Sequence, residues 1–164
     1  MSNPDSSILK VRRSIHIAAP PSRIWREFSS KERMDGWWGR IRDKPVAGQP
    51  NGQFLRVYEP KLGGRVEMEV DMDGSPGRYG GAIEVFDANR ELTFQNDWIP
   101  NTGWKAPTYI TLRLTPALNG TLVELFHHGF EHVGADAADQ HAGYEQGWGM
   151  LQLSSLKQMA EAGA

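Results

Sequence analysis

QHAGYEQGWGMLQLSSLKQMAEA, residues 140–162, is the stretch on which the reading of this chain turns. Within it Tyr144, Trp148, Leu151 and Met159, with Leu156 beside them, recur at the three-and-four spacing that lines side chains along one helical stripe. Glu145, Gln152, Lys157, Gln158 and Glu161 fall on the other side. The spacing therefore predicts one long amphipathic helix lying on something apolar, with its back in water. At 1.5 Å per residue it would run ~34 Å, enough to cross the strands of a sheet.

Leu9 to Phe130 supplies that sheet. Val11, Arg13, Ile15 and Ile17 alternate with Arg12, Ser14 and His16, a first strand with one apolar face on which Arg13 also sits. Pro20 and Pro21 stop it and pre-set a short helix carrying Ile24, Trp25 and Phe28 inward, and a second short helix spans about Lys31 to Trp37. Strands are then predicted at about 53–59, 64–73, 79–87 and 90–98. In the second of these, Val66, Met68, Val70 and Met72 oppose Glu67, Glu69, Asp71 and Asp73, so one face is core and the other solvent. Ile110, Leu112 and Leu114 lead through Asn119-Gly120, a strong hairpin signal, to Val123, Leu125 and His127. The loops Arg40 to Asn51 and Ile99 to Pro107 carry prolines and no periodicity, and read as flaps over an opening. The expected architecture is α+β: a curved antiparallel seven-stranded sheet gripping the C-terminal helix, with two short helices after the first strand.

The chain has 164 residues, the length of one domain. Residues 1–7 read as a disordered N-terminus and 8–164 as the domain. With 18 basic against 20 acidic residues and no basic block, nucleic acid is not an expected partner. The absence of Cys removes disulfides, a thiolate nucleophile and thiolate metal ligation. Met1 to Lys10 lacks the apolar core of a secretory signal and no run reaches the ~20 apolar residues of a membrane span. The expectation is a cytoplasmic protein, monomeric or homodimeric, without a membrane span.

Polar residues on apolar faces are the sharpest functional clue, because a buried polar group needs a partner and a ligand can supply it. By alternation Arg13, Asn96 and His127 share faces with Ile15, Phe94 and Leu125, and Arg56 shares one with Phe54 and Tyr58. These four are candidate anchors. Tyr58, Met68, Trp98 and Trp148 would line the space between sheet and helix, and Trp38 and Trp104, in glycine-flanked loops, would rim it. His127 and His128 are adjacent on a strand and point to opposite faces, so they do not converge on a metal ion. No catalytic set is assigned, and no metal or other cofactor is expected.

Several strings carry a family resemblance: Ile17-Ala18-Ala19-Pro20-Pro21-Ser22-Arg23-Ile24-Trp25, Trp37-Trp38-Gly39, Gly81-Ala82-Ile83-Glu84-Val85, Arg90-Glu91-Leu92-Thr93-Phe94, His127-His128-Gly129-Phe130 and Gly147-Trp148. In number and order they resemble the START-like (SRPBCC) superfamily, in particular proteins similar to the activator of heat-shock-protein-ninety ATPase. The resemblance implies the helix-grip fold with a hydrophobic cavity. It does not imply one chemistry, since that superfamily holds lipid carriers, hormone receptors, aromatic cyclases and co-chaperone domains. The leading expectation is a non-catalytic carrier or sensor of a small apolar or aromatic molecule. The alternatives are a cyclase or hydrolase-like enzyme acting on an aromatic or polyketide-type substrate in the same cavity, and a co-chaperone-type module with a chaperone partner.

Overall fold

A computed structural model describes residues 9–41, 52–72 and 75–162. The expected disordered segment 1–7 and most of the expected flap, 42–51, lie outside the described residues. Strand β1 (Lys10–Ile17) is followed by α1 (Pro21–Trp25), a 3-10 turn (Arg26–Phe28) and α2 (Lys31–Trp38). The meander β2 (Arg40–Ile41), β3 (Gly52–Tyr58), β4 (Arg65–Met72), β5 (Ser75–Asp87), β6 (Glu91–Trp98), β7 (Thr108–Ala117) and β8 (Gly120–His128) comes next. A 3-10 turn (Phe130–His132), α3 (Ala137–Gly147) and α4 (Leu151–Ala162) close the chain.

The strands form one antiparallel sheet in the order β1-β8-β7-β6-β5-β4-β3-β2, the expected seven with the two-residue β2 added at one edge. β1 closes back onto β8, with Val11 opposite His127 and Ile15 opposite Val123. Alternation decides what faces the helices. Val66, Met68 and Val70 of β4 are buried, and so are Leu92, Phe94 and Asn96 of β6, Ile110, Leu112 and Leu114 of β7, and Val123, Leu125 and His127 of β8. The carboxylates of β4 lie on the opposite face and pair with arginines, Glu69 with Arg56 at 3.0 Å and Glu67 with Arg65 at 3.0 Å. Arg12–Glu124 and Arg113–Glu91 continue this ion-paired face across the far strands.

The helices seal the inner face. In α2, Ser30 is the N-cap, its hydroxyl accepting from the Arg33 N–H at 3.2 Å. The helix buries Met34, Trp37 and Trp38. Phe28 stacks on Trp25 at 4.9 Å and touches Trp37 at 5.2 Å, so the two short helices share one aromatic core. α4 contributes Leu153, Leu156 and Ala160. Burying each of these apolar side chains is worth roughly 1.5–3 kcal/mol for the larger ones. Among the described residues no helix is long and apolar enough to cross a membrane.

Three local features differ from the sequence reading. The C-terminal stretch is two helices rather than one, broken at Trp148-Gly149-Met150, with Trp148 extended (φ −72°, ψ 118°). The cause is partly local, since Gly143, Gly147 and Gly149 weaken helix propensity. It is also partly long-range: the Arg13 guanidinium takes up the carbonyls of Glu145 and Trp148, which a continuous helix would use internally. Leu151, expected on the inward stripe, is 49% exposed, because the break starts a new helical phase after it.

The second difference is in β3, where the register against β4 shifts between Leu55 and Val57. The extra residue at this bulge turns Leu55 and Tyr58 inward together and leaves Arg56 outside. The third is the β7–β8 hairpin, which turns on Leu118 (φ 46°) and Asn119 (φ 59°), with Gly120 already paired to Ala117. Gly120 is needed in the strand, since a Cβ there would lie 2.2 Å from the carbonyl oxygen of Ile17.

Candidate functional site

One end of the inner face is polar. The strand pairings Asn96↔Thr108 and Ile110↔His127 bring Asn96, Thr108 and His127 to neighbouring positions on β6, β7 and β8, and all three are buried. Gln53 and Tyr79 lie toward the same end on β3 and β5, flanking Val70 and Met68. The other end, built from Leu92, Ile83, Leu114 and Val123, is apolar and closed by Trp25 and Phe28. The polar groups thus sit at one end of the sheet's inner face, beneath α3 and the break before α4.

Hydrogen bonding fixes direction through this cluster. Trp148 Nε1–H can only donate, and it donates to His127 Nδ1 at 3.0 Å. His127 therefore carries its proton on Nε2, which donates to Thr108 Oγ1 at 2.7 Å. Thr108 then spends its single hydroxyl proton on the Asn96 carbonyl at 2.9 Å. Since Oγ1 has no second proton, the Asn96 side chain faces it with its amide nitrogen, at a long 3.5 Å. The Asn96 Oδ1 is left buried with no hydrogen-bond partner.

A second chain starts at Tyr79, whose hydroxyl donates to Gln53 Oε1 at 3.1 Å, while Gln53 Nε2 donates to the Trp38 carbonyl at 2.7 Å. The Trp38 indole N–H is buried and also without a partner. Its ring lies 5.9 Å from Trp148 and 6.0 Å from Phe94, two residues before Asn96 on the same face. One donor and one acceptor are thus buried without a partner on this face. An unsatisfied buried polar group costs about 1–3 kcal/mol, which a matching ligand would recover.

Electrostatically the polar end is neutral. Burial, with smaller contributions from His128 and His141, pushes the His127 imidazole down to about 3, so it is uncharged at neutral pH. Burial also raises the Tyr79 phenol above its ordinary range, and burial with the nearby Asp97 carboxylate pushes Tyr144 up to about 12. With Nδ1 occupied by Trp148 and Nε2 protonated, His127 offers no free lone pair to act as a base.

Of the residues singled out from sequence, Trp38, Asn96, His127 and Trp148 come together here. Trp98 packs edge-on to Tyr79 at 6.0 Å, Trp104 meets Tyr144 of α3 at 6.5 Å, and both are half-buried. Met68 is buried on β4, opposite Leu55 and Tyr79. Tyr58 faces inward but its hydroxyl is spent on the Phe28 carbonyl at 2.6 Å. Arg13 faces inward too, and all five of its N–H groups are engaged, by Trp148, Glu145 and the Arg12 carbonyl. It clamps the C-terminus of α3 rather than offering a free anchor. Arg56 shares the outward face of Phe54, pairs with Glu69 and lies 5.6 Å from the Phe54 ring centroid, away from the inner face.

Gln53, Tyr79 and Thr108 were not singled out from sequence. Thr108 heads the alternation Thr108, Ile110, Leu112, Leu114, and that signal could have found it. Tyr79 is hidden among Gly77, Gly80 and Gly81, and Gln53 adjoins an unpatterned loop. His128 faces the other side of the sheet, on Thr111 Oγ1 at 3.0 Å, and among the described residues no three His, Asp or Glu side chains converge on a metal position. A surface cleft of about 790 Å³ lies elsewhere, beside α1 and the β5–β6 turn. Its charged residues are paired with each other, Arg90 with Asp87 and Arg113 with Glu91.

Comparison with known proteins agrees with this architecture. CV1439 from Chromobacterium violaceum is 19% identical, with a TM-score of 0.64 over 93% of this chain and 96% of its own. MLL2253 from Mesorhizobium loti is 18% identical, with a TM-score of 0.66 over 94% and 98%. DynU16, described as a putative protein in the dynemicin biosynthetic locus, is 17% identical, with a TM-score of 0.58 over 94% of this chain but 48% of its own. At these identities the likeness is one of fold. A comparison with curated proteins finds no match. The profile of one family, described as Activator of Hsp90 ATPase homolog 1-like protein, matches residues 18–161. The helix-grip sheet and this match over nearly the whole chain place the protein in the Activator of Hsp90 ATPase homolog 1-like family.

Proposed function

We propose that the domain binds a small, largely apolar molecule in a trough between the sheet and the C-terminal helices, as a non-catalytic carrier or sensor. The observation that carries this reading is the pair of buried, unpartnered groups, Trp38 Nε1–H and Asn96 Oδ1, among the rings of Trp148, Phe94 and Trp37. Apolar walls with a few placed polar groups are the usual composition of a small-molecule site. The family's fold suits such a role, and the occupied lone pair of His127 argues against the enzyme alternative.

The family description favours a second reading, a protein-binding module for a chaperone. Such a module would use the outer face of the sheet, and that face is laced with ion pairs around Phe126, which has Lys10, Arg12 and Arg113 within about 6 Å of its ring. This suits a charged partner better than an apolar one. The deciding experiment is a thermal-shift and Trp-emission screen against uncharged apolar compounds. Binding that raises the melting temperature and perturbs emission supports the carrier reading. A complete absence of binders, together with capture of a chaperone through Arg12 and Arg113, would put the second reading first.

A further inference from the structure

The two buried, unpartnered groups specify more than an apolar ligand. We infer that the site selects uncharged molecules bearing a paired hydrogen-bond donor and acceptor, a hydroxyl or an amide, and rejects both carboxylates and ammonium groups. This rests on the carrier reading above and narrows its ligand.

The donor–acceptor requirement follows from hydrogen-bond direction. Because the chain from Trp148 through His127 and Thr108 leaves Asn96 Oδ1 as the open atom, the ligand must bring a proton to it. Trp38 Nε1 has only a proton to give, so the ligand must also accept. A carboxylate brings two acceptors and no proton, and an ammonium brings donors only. A hydroxyl or a primary amide supplies both.

The exclusion of charge follows from what surrounds these atoms. Arg13 is a cation on the inner face, and its five N–H groups are already engaged. Glu145 is paired to it. His127 is held neutral and has neither an open donor nor an open acceptor. At the rim, Asp97 accepts from the Trp98 backbone N–H at 2.7 Å and from the Asn101 amide at 2.7 Å. A buried ionic ligand would find each of these charges already engaged, and a charge without a partner in such surroundings is strongly disfavoured.

Four bicyclic probes of similar shape test this with the full chain: 2-naphthamide, 2-naphthoate, 2-naphthylmethylammonium and 2-methylnaphthalene, followed by calorimetry and by the Trp indole N–H resonances in NMR. The expected result is that 2-naphthamide binds at least tenfold more tightly than each of the other three and moves the Trp38 indole proton downfield. Trp38→Phe and Asn96→Leu should each bring 2-naphthamide towards the affinity of 2-methylnaphthalene without weakening the latter. Equal or tighter binding of either charged probe overturns the inference while leaving the carrier reading intact, as does an amide preference that survives both substitutions. Failure of all four probes to bind overturns the inference, and the carrier reading is then decided by the wider screen. The wild-type comparison needs no variant, so loss of folding in either substitution leaves the inference open to refutation.

Discussion

Trp148 gives its indole proton to His127 Nδ1 at 3.0 Å, and by this contact the break between α3 and α4 is tied to the polar end of the sheet. Trp148 is the residue at which the backbone leaves the helix, and His127 is fully buried on β8. The bond joins the hinge of the covering helices to the surface they cover. It also orders every proton downstream, through Thr108 to Asn96.

Trp148→Phe keeps an aromatic ring against Trp38 and removes the proton. His127 Nδ1 would then be a buried acceptor without a donor, a loss expected at about 1–3 kcal/mol in urea unfolding. A change within about 0.5 kcal/mol, the scatter of surface substitutions, would mean that water or another donor replaces the indole at no cost.

The low pKa of His127 has a definite sign in stability. The unfolded imidazole titrates near 6.5 and the folded one near 3, chiefly because burial penalises its charged form. Between these values the unfolded chain holds a proton that the folded chain refuses. Stability from this group is complete above pH 6.5 and declines as the pH falls, by up to roughly 1.4 kcal/mol per pH unit. Half-buried His128 is shifted down as well and acts in the same direction. The measurement is therefore a difference: urea unfolding of wild type and His127→Gln from pH 7.5 to 4.5 should show the shallower slope in the variant. Parallel curves would refute the assignment, and so would a His127 imidazole resonance that titrates near pH 6.

How much of this could be read beforehand depends on the range of the interaction. Alternation placed Val66, Met68 and Val70 inside, Glu67 and Glu69 on the other face, and His127 and His128 on opposite faces, because a strand's side-chain period is fixed locally. Asn96 stood out as polar on an apolar face for the same reason. The helix break depends on Arg13, more than 130 residues away in sequence, reaching the carbonyls of Glu145 and Trp148, and no local pattern encodes that. Arg56 does share a face with Phe54, but a one-residue bulge reverses the faces beyond it, so Tyr58 turns inward while Arg56 stays on the outer face. The lack of a partner for Trp38 Nε1 is a property of the packed site, legible only once all its neighbours have been placed.

Arg13→Lys tests the clamp. A lysine ammonium keeps the charge but cannot reproduce the planar fork that reaches Trp148 O through Nε and Nη2 and Glu145 O through Nη2. The expected cost is about 1–2 kcal/mol, on the scale of losing one or two charge-assisted hydrogen bonds. Amide exchange should accelerate in 137–147, a helix with no buried residue of its own, more than in α4. Uniform acceleration through both helices would show that the clamp is not specific to α3.

The Glu27 carboxylate is almost fully buried between α1, α2 and α4. Its Oε1 accepts from Arg23 Nη1 and from Arg33 Nη1, each at 3.0 Å, and its main-chain carbonyl accepts from Trp37 Nε1 at 3.0 Å. The two arginines are not equivalent: Arg23 is 12% exposed in its side chain and also reaches the Met159 carbonyl of α4, whereas Arg33 is 45% exposed. Removing the shared carboxylate takes the counter-charge from a largely buried guanidinium, so Glu27→Leu should cost about 3–5 kcal/mol. Arg33→Ala breaks a pair that solvent already screens, and should cost less than ~1 kcal/mol. Both are read from urea midpoints at constant m-value, and the decisive feature is their order. If Arg33→Ala is the more damaging of the two, the buried carboxylate is not what joins the short helices to α4, and the aromatic stack of Trp25, Phe28 and Trp37 must hold that corner by itself.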